Sequence, residues 1–134
     1  MKSVLNRVLV LTVIAMCAVA VQAQTTILKA DIPFNFNIGD QQMSSGSYVV
    51  RTVAENIQCW QDANGGQTIM VRTTPKSSLE YVAPKVVFHR YGDQYVLAEF
   101  WANSGHELEK SRLEKRLAQT ETHQIVAVLL RPAK

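Results

Sequence analysis

The sequence KVVFHRYGDQYVLAEFW, residues 85–101, decides the fold because it encodes a β-hairpin. Two segments rich in Val, Phe, Tyr and Trp flank Gly92-Asp93, a Gly-first pair typical of a two-residue primed turn, whose first position needs a positive φ. A loop of two residues places Arg90 opposite Tyr95 and pairs Val87 with Ala98. We expect the rest of the chain to pack around this hairpin.

The predicted pairing assigns the hairpin side chains to two faces, because side chains alternate along a strand. One face carries Phe88, Arg90, Tyr95, Leu97, Glu99 and Trp101, and the other carries Val87, His89, Val96, Ala98 and Phe100. Neither face is purely polar, so both need cover. This requirement favours a central position in a β-sandwich or a β-barrel.

The first 23 residues are predicted to be an export signal that is not part of the fold. Lys2 and Arg7 give a positive start, residues 8–21 are almost wholly apolar, and Val21-Gln22-Ala23 fits a signal-peptidase site. One alternative is a transmembrane anchor, although the apolar segment is shorter than the roughly 20 residues that span a bilayer. The other is a lipoprotein, but the residue before Cys17 is bulky. We therefore expect an exported protein, periplasmic or secreted, without a stable transmembrane anchor.

Residues 24–134 are predicted to form a single β-rich domain. The full chain has 14 basic and 11 acidic residues, and two of the basic residues lie in the export signal, so the mature domain has a net charge of about +1. This total gives little support for binding to nucleic acid or to an anionic membrane. Cys59 is the one cysteine left, so we expect a small buried residue, with a reactive thiol or an intermolecular bridge as alternatives.

Alternation and turn residues predict four strands before the hairpin, so that six strands precede the predicted helix and one follows it. Apolar and polar residues alternate from Ile32 to Ile38, which predicts one half-buried strand; Pro33 places it at a sheet edge or delays its pairing. Further strands, forming a meander with the first, are expected at 47–53, 56–61 and 67–73. The irregular segment 74–84 is interpreted as a crossover between sheets, with a functional lip as the alternative.

Residues 111–119 are the one helix predicted in the mature chain. Ser111 and Glu114 fit a capping box, in which each side chain satisfies a free backbone donor of the first turn. Leu113 and Leu117 share a helix face, and we expect this face to cover the last strand, 123–131, which is apolar on both sides. The predicted fold class is all-β (β-dominated), a small antiparallel β-sandwich or barrel of about seven strands with one short helix before the last strand.

Four segments resemble a family of small exported bacterial proteins of uncharacterised function. They are Asp31-Ile32-Pro33-Phe34, Gly46-Ser47-Tyr48, FHRYGD at 88–93 and ELEKSR at 107–112. The resemblance covers most of the mature chain. It implies a secreted β-rich domain, and it supplies no activity, ligand or catalytic residue.

Motifs that carry chemistry are weak in this sequence. His89, His106 and His123 are equally spaced, but none belongs to a short ligand pair such as HxH or HxxxH, so a metal site is not expected. A glycosidase needs two carboxylates across a cleft, whereas Asp93 is explained by the hairpin turn. No Ser occupies a G-x-S-x-G elbow. We therefore assign no catalytic residue, metal ligand or cofactor.

Three hypotheses from different classes remain. The first is an exported, non-catalytic envelope or extracellular β-module that acts by binding or structural association with an unknown partner. The second is a small-ligand or carbohydrate-binding β-domain, which requires a row of exposed aromatic side chains. The third is a small secreted hydrolase, which requires His89 or His106 to meet a nucleophile or a carboxylate in a cleft. The candidate binding residues are His89, Arg90, Tyr95, Glu99 and Trp101.

Overall fold

The computed structural model describes residues 27–133, which form a curled mixed β-sheet shaped as a half-barrel. The eleven strands of this range are β1 (Ile27–Ile32), β2 (Phe36–Ile38), β3 (Gln41–Met43), β4 (Gly46–Ala54), β5 (Ile57–Asp62), β6 (Thr68–Arg72), β7 (Thr74–Lys76), β8 (Lys85–Tyr91), β9 (Gln94–Trp101), β10 (Gly105–Glu107) and β11 (Gln124–Pro132). The helix within it, α1 (Arg112–Ala118), precedes β11. The all-β class is therefore confirmed, with more strands than the expected seven.

The segment predicted as one strand from Ile32 to Ile38 is two strands. β1 pairs antiparallel with β4 and β11, whereas β2 pairs with β3 and, in parallel at Asn37 and Val96, with β9. Pro33 lies at the break between them, where its missing N–H removes no ladder bond. This stretch therefore links two parts of the sheet that are not adjacent.

The strands follow the order β3-β2-β9-β8-β11-β1-β4-β5-β6 across the sheet, and β10 pairs with β7 and β9. β4, β5 and β6 are consecutive neighbours, as the last three strands of the predicted meander require. Its first strand, predicted at 32–38, is wrong in this respect, because β2 pairs with β3 and β9 and the other neighbour of β4 is β1. The segment 74–84 takes the chain from the β6 edge to β8 in the middle. The predicted crossover is therefore confirmed, and its first residues add β7.

The hairpin of β8 and β9 keeps the predicted register only near its turn. Gly92 has a φ of 59°, and the pairing runs as expected down to Phe88 and Leu97. Beyond that point Val87 pairs with Glu99, so Ala98 is the extra residue of a β-bulge. The predicted pairing of Val87 with Ala98 is wrong.

The bulge exchanges the faces of the last β9 residues. Phe100 packs in the aromatic core with Phe88, whereas Glu99 and Trp101 lie on the outer face with His89. The face assignment made for these three β9 residues is therefore wrong, because an extra residue inverts the period-two alternation behind it.

The inner face of the curled sheet encloses one aromatic core. Its large side chains are almost fully buried and include Phe36, Tyr48, Trp60, Phe88 and Phe100. Their rings meet edge to face, as between Phe36 and Tyr48, whose centroids are 5.4 Å apart, a geometry that adds to the burial of apolar area. The inner face of the hairpin is therefore packed against this core.

The helix covers the outer side of the hairpin and leaves the last strand uncovered. Ser111 caps α1 as predicted, since its Oγ accepts a hydrogen bond from the Glu114 N–H at 3.1 Å. The Glu114 carboxylate, however, points into the hairpin and is 3% exposed. On β11, Ile125 and Leu129 are 70% and 71% exposed. The predicted return bond of the capping box and the predicted cover of β11 are both wrong.

Candidate functional site

The candidate residues Arg90 and Tyr95 pack at the turn end of the hairpin. They are cross-strand partners, and the Arg90 guanidinium carbon lies 5.5 Å from the centroid of the Tyr95 ring, so the predicted neighbour pair is confirmed. Tyr95 stacks on Phe34 at 3.8 Å between centroids, and Arg90 Nε donates to the Gly92 carbonyl oxygen at 2.8 Å. These contacts give both residues a packing role.

The candidate residues Glu99 and Trp101 belong to a polar link between three strands. Trp101 Nε1–H donates to Glu99 Oε1 at 2.8 Å, and Lys76 Nζ donates to Glu99 Oε2 at 3.1 Å. Lys76 also lies 3.5 Å from Glu107. We name Lys76, Glu99, Trp101 and Glu107 the β7–β9–β10 link.

Both charged groups at the centre of this link are held in the ionised state at neutral pH. Burial raises the pKa of Glu99, but the hydrogen bonds from Trp101 and Lys76 outweigh it and leave that pKa below its usual value. The hydrogen bond to Glu99 raises the pKa of Lys76. Glu99 is therefore a fixed carboxylate, unsuited to donate a proton as a general acid.

Trp101 is held in place from the other side by Gly105. A Cβ on Gly105 would lie 2.4 Å from the Lys76 carbonyl oxygen and 2.4 Å from Trp101 Cζ3, so glycine alone permits this approach. The indole is 8% exposed and forms part of a wall.

That wall borders an open cleft of about 840 Å³. Most of the segment 75–84 forms one side, residues 101–106 form the other, and Glu55 and Asn56 contribute from the turn before β5. Tyr81 lines the cleft and is 89% exposed, whereas Leu79, in the same segment, is fully exposed and lies outside the lining. The segment interpreted as a crossover is thus also the lip of a cleft.

His106 brings two hydroxyl groups together at the cleft. Its Nε2 lies 3.2 Å from Ser104 Oγ and its Nδ1 lies 3.2 Å from Thr73 Oγ1. Burial lowers the pKa of His106, so the ring is neutral at neutral pH and can donate from one nitrogen and accept at the other. This contact with a serine is the arrangement that the hydrolase hypothesis requires of His106.

A second cluster lies under α1, on the outer face of the hairpin. Glu114 Oε2 accepts hydrogen bonds from Tyr91 Oη at 2.8 Å and from His89 Nδ1 at 2.7 Å. The His123 ring stacks on His89 with centroids 4.0 Å apart. His89 therefore meets a carboxylate, as the hydrolase hypothesis allows, but under the helix and apart from the residues that line the cleft.

The environment of this cluster shifts two pKa values. Burial, and then the hydrogen bond to the Glu114 carboxylate, raise the pKa of Tyr91 to about 12. Burial and the neighbouring His89 lower the pKa of His123. Tyr91 thus stays protonated and donates to Glu114. Tyr91, His89 and Glu114 form a network in which each hydrogen bond to the carboxylate is made.

Sequence reasoning missed Glu114, Tyr91 and His123 as members of a common cluster. Glu114 had an adequate explanation as part of a capping box, and the contact joins residues 25 apart along the chain. The one local indication is the i, i+2 spacing of His89 and Tyr91, which places both on the same strand face.

The three equally spaced histidines do not converge, because His106 lies at the cleft while His89 and His123 stack together. Within residues 27–133, no group of three or more His, Cys, Asp or Glu side chains is arranged to hold a metal ion. Cys59 is a free, buried cysteine, as expected.

The predicted export signal, residues 1–23, lies outside the described residues. Within residues 27–133, the one helix is neither long nor apolar enough to span a bilayer. Comparison with known proteins yields no relative, since no protein-family model, curated protein or solved structure matches the chain.

Proposed function

We propose that this protein is an exported module that acts by binding or structural association and not by catalysis, with the cleft beside Trp101 as its binding site. The observation that carries the proposal is the cleft itself. Its volume of about 840 Å³ lies within the range of small-molecule sites, roughly 300 to 1,000 Å³. Export is supported by the composition of residues 1–23 and by the resemblance to exported bacterial proteins.

The construction of the cleft suits a rigid binding surface. Trp101 is clamped between Glu99 and Gly105, and the β7–β9–β10 link fixes the base of the lip. Preorganised walls lower the entropic cost of binding. The exposed Tyr81 supplies apolar area with a polar tip.

A glycan ligand has less support than binding in general. Sugar binding was expected to show a row of exposed aromatic side chains, and Tyr81 is the one exposed side chain among the six tyrosines and tryptophans of residues 27–133. Tyr48, Trp60, Tyr91 and Trp101 are buried and Tyr95 is half-buried. One stacking ring fits a single sugar unit or one side chain of a partner.

The binding proposal is tested by adding glycan fragments and short peptides to the ¹⁵N-labelled mature protein and recording amide chemical shifts. We expect a ligand to move the amide signals of Ala102, Gly105 and His106. Tyr81→Ala should abolish these changes, whereas Leu79→Ala, an exposed residue of the same segment outside the lining, should preserve them. The cleft would be contradicted as the site if none of the glycans or peptides shifted these amide signals, or if Tyr81→Ala bound a ligand as well as the native protein does.

The contact between Ser104 and His106 favours a hydrolase as the second candidate function. A serine hydroxyl beside a neutral imidazole is the minimal pair for nucleophilic catalysis. The other nitrogen of His106 faces the Thr73 hydroxyl, where a triad has a carboxylate to stabilise the imidazolium. This weaker partner is the reason why the non-catalytic function is preferred.

The two functions are separated by labelling the purified protein with a fluorophosphonate probe and assaying ester, peptide and glycan substrates. The non-catalytic proposal predicts no label on Ser104 and no turnover. If the protein labels and turns over a substrate, and Ser104→Ala and His106→Gln abolish this while Ser78→Ala does not, the hydrolase is correct. Ser78 is a suitable control because it also lines the cleft.

A further inference from the structure

The outer face of β11 carries an apolar stripe. Val126, Val128 and Leu130 pack against the core, so alternation turns Ile125, Ala127 and Leu129 outward. Ile125 and Leu129 are 70% and 71% exposed, and Ala127 between them is exposed. Because neighbours of the same parity along a strand lie about 7 Å apart, these three form a continuous stripe.

Basic side chains flank this stripe on the neighbouring strands. Lys85 on β8 is the cross-strand partner of Leu129. Arg131 follows Leu129 on the same face of β11. Lys29, opposite Arg131 on β1, shares the outer parity. We name Ile125, Ala127 and Leu129 together with Lys29, Lys85 and Arg131 the basic apolar face.

Acidic charge is scarce on this face. Asp31 on β1 has the same parity, and its Oδ2 lies 2.8 Å from Arg131 Nη2. Among the described residues of β1, β4, β8 and β11, Asp31 is the one acidic residue. Three basic groups therefore face one carboxylate, although the mature chain as a whole is nearly neutral.

We infer that the basic apolar face docks the protein on the surface of an anionic phospholipid bilayer. Ile125 and Leu129 would enter the boundary between headgroups and acyl chains, while the side chains of Lys29, Lys85 and Arg131 approach lipid phosphates. An apolar centre with a basic rim is complementary to such a surface in hydrophobicity and in charge. The sequence total of about +1 hides this site. The two carboxylates on the outer side of the neighbouring hairpin already have partners, since Glu99 binds Lys76 and Trp101 and Glu114 binds Tyr91 and His89.

Other occupants fit the same face less well. In a two-fold dimer a self-complementary patch meets its own copy, so the basic rims would oppose each other at a distance where like charges repel. A nucleic acid would use the basic groups but gain nothing from exposed Ile125 and Leu129 beside its phosphates.

Vesicle co-sedimentation of the mature protein tests the inference. We expect binding to vesicles that contain phosphatidylglycerol, weaker binding to pure phosphatidylcholine, and a decline as salt rises from low to physiological concentration. Ile125→Ser with Leu129→Ser should weaken binding about tenfold or more, and Lys29→Gln with Lys85→Gln about tenfold or more.

Met70→Ser is the matched control, because Met70 is 62% exposed on β6, away from the basic apolar face. Circular-dichroism melts of every variant confirm that these exposed substitutions leave the fold intact. Absence of vesicle binding, or binding that the stripe and rim variants leave unchanged, would overturn the inference. It would equally fail if those variants instead abolish self-association in analytical ultracentrifugation or binding to duplex DNA, with no lipid dependence.

Discussion

Glu114 shows how a buried carboxylate is retained in a small domain. Burying an unpaired charge is costly, and the penalty falls only when donors replace the lost water. Tyr91 and His89 supply two such donors at 2.8 and 2.7 Å. The carboxylate therefore holds α1 against the hairpin. The sequence had predicted a different contact, in which the leucine face of the helix packs on β11.

Tyr91→Phe tests this role at the level of a single hydroxyl. The change removes one donor to a buried carboxylate and should lower the free energy of unfolding by about 1–3 kcal/mol. Tyr81→Phe removes the same atom from a side chain that is 89% exposed and should change stability by less than about 0.5 kcal/mol. Guanidinium melts measure both; equal losses would show that Glu114 does not depend on Tyr91.

The same tyrosine predicts how stability depends on alkaline pH. Below about pH 10 the Tyr91 hydroxyl is protonated in the folded and the unfolded state, and its contribution is complete. Between the ordinary value of 10.0 and the folded pKa of about 12, the unfolded chain loses this proton while the folded protein keeps it. The free energy of unfolding should therefore fall as pH rises through this interval.

Unfolding titrations from pH 9 to pH 12 measure this slope. Tyr91→Phe should reduce this slope, and Tyr81→Phe should leave it unchanged. The slope that remains in Tyr91→Phe comes from other groups whose pKa is raised, among them Tyr48 and Lys76. A slope that is identical in the native protein and in Tyr91→Phe would disprove the assignment.

Among the elements, the hairpin shows where pattern-based prediction succeeds and where it ends. The turn residues predicted its loop and four of its pairs because turn chemistry is local. The bulge at Ala98 lies where β9 also pairs with β10 and where the Leu108 N–H donates to the Ala98 carbonyl oxygen at 2.9 Å. The residues of the hairpin itself do not reveal this contact. One extra residue then placed Trp101 at the cleft and Phe100 in the core.

The β7–β9–β10 junction predicts the cost of a single added methyl group. In Gly105→Ala the new Cβ would collide with the Lys76 backbone and the Trp101 ring, both at 2.4 Å, and neither can move freely. We expect a loss of at least about 2 kcal/mol in the free energy of unfolding. The loss should be accompanied by a change in tryptophan fluorescence as the indole shifts.

Gly66→Ala is the control for this prediction. Its Cβ would meet the end of the Asp62 side chain at 2.5 Å, a group that can rotate away, so the loss should be much smaller. A Gly105→Ala protein as stable as Gly66→Ala would show that Trp101 is not clamped.

In the whole molecule, charge is segregated in a way that composition does not reveal. The sheet order that places β11 between β8 and β1 rests on contacts far apart in sequence. Only that order brings Lys29, Lys85 and Arg131 around the stripe of β11. The fold class was therefore predictable from the sequence, while the cleft and the basic apolar face were not.

The proposed export signal can be tested on the protein isolated from its host. The positive start, the apolar segment and the Val21-Gln22-Ala23 site predict cleavage after Ala23. Intact-mass measurement and N-terminal sequencing should find a protein that begins at Gln24. Retention of residues 1–23, or a lipid on Cys17, would refute the assignment.

The ends of the described domain lie side by side, since the Ala133 N–H donates to the Ile27 carbonyl oxygen at 3.2 Å and Leu28 pairs with Pro132. β1 and β11 run antiparallel, so tension applied between Ile27 and Ala133 loads their cross-strand bonds one after another. Unzipping of this kind resists pulling far less than shearing, in which all bonds break together. A domain stretched by both ends should thus yield at low force, with β1 leaving first from between β11 and β4.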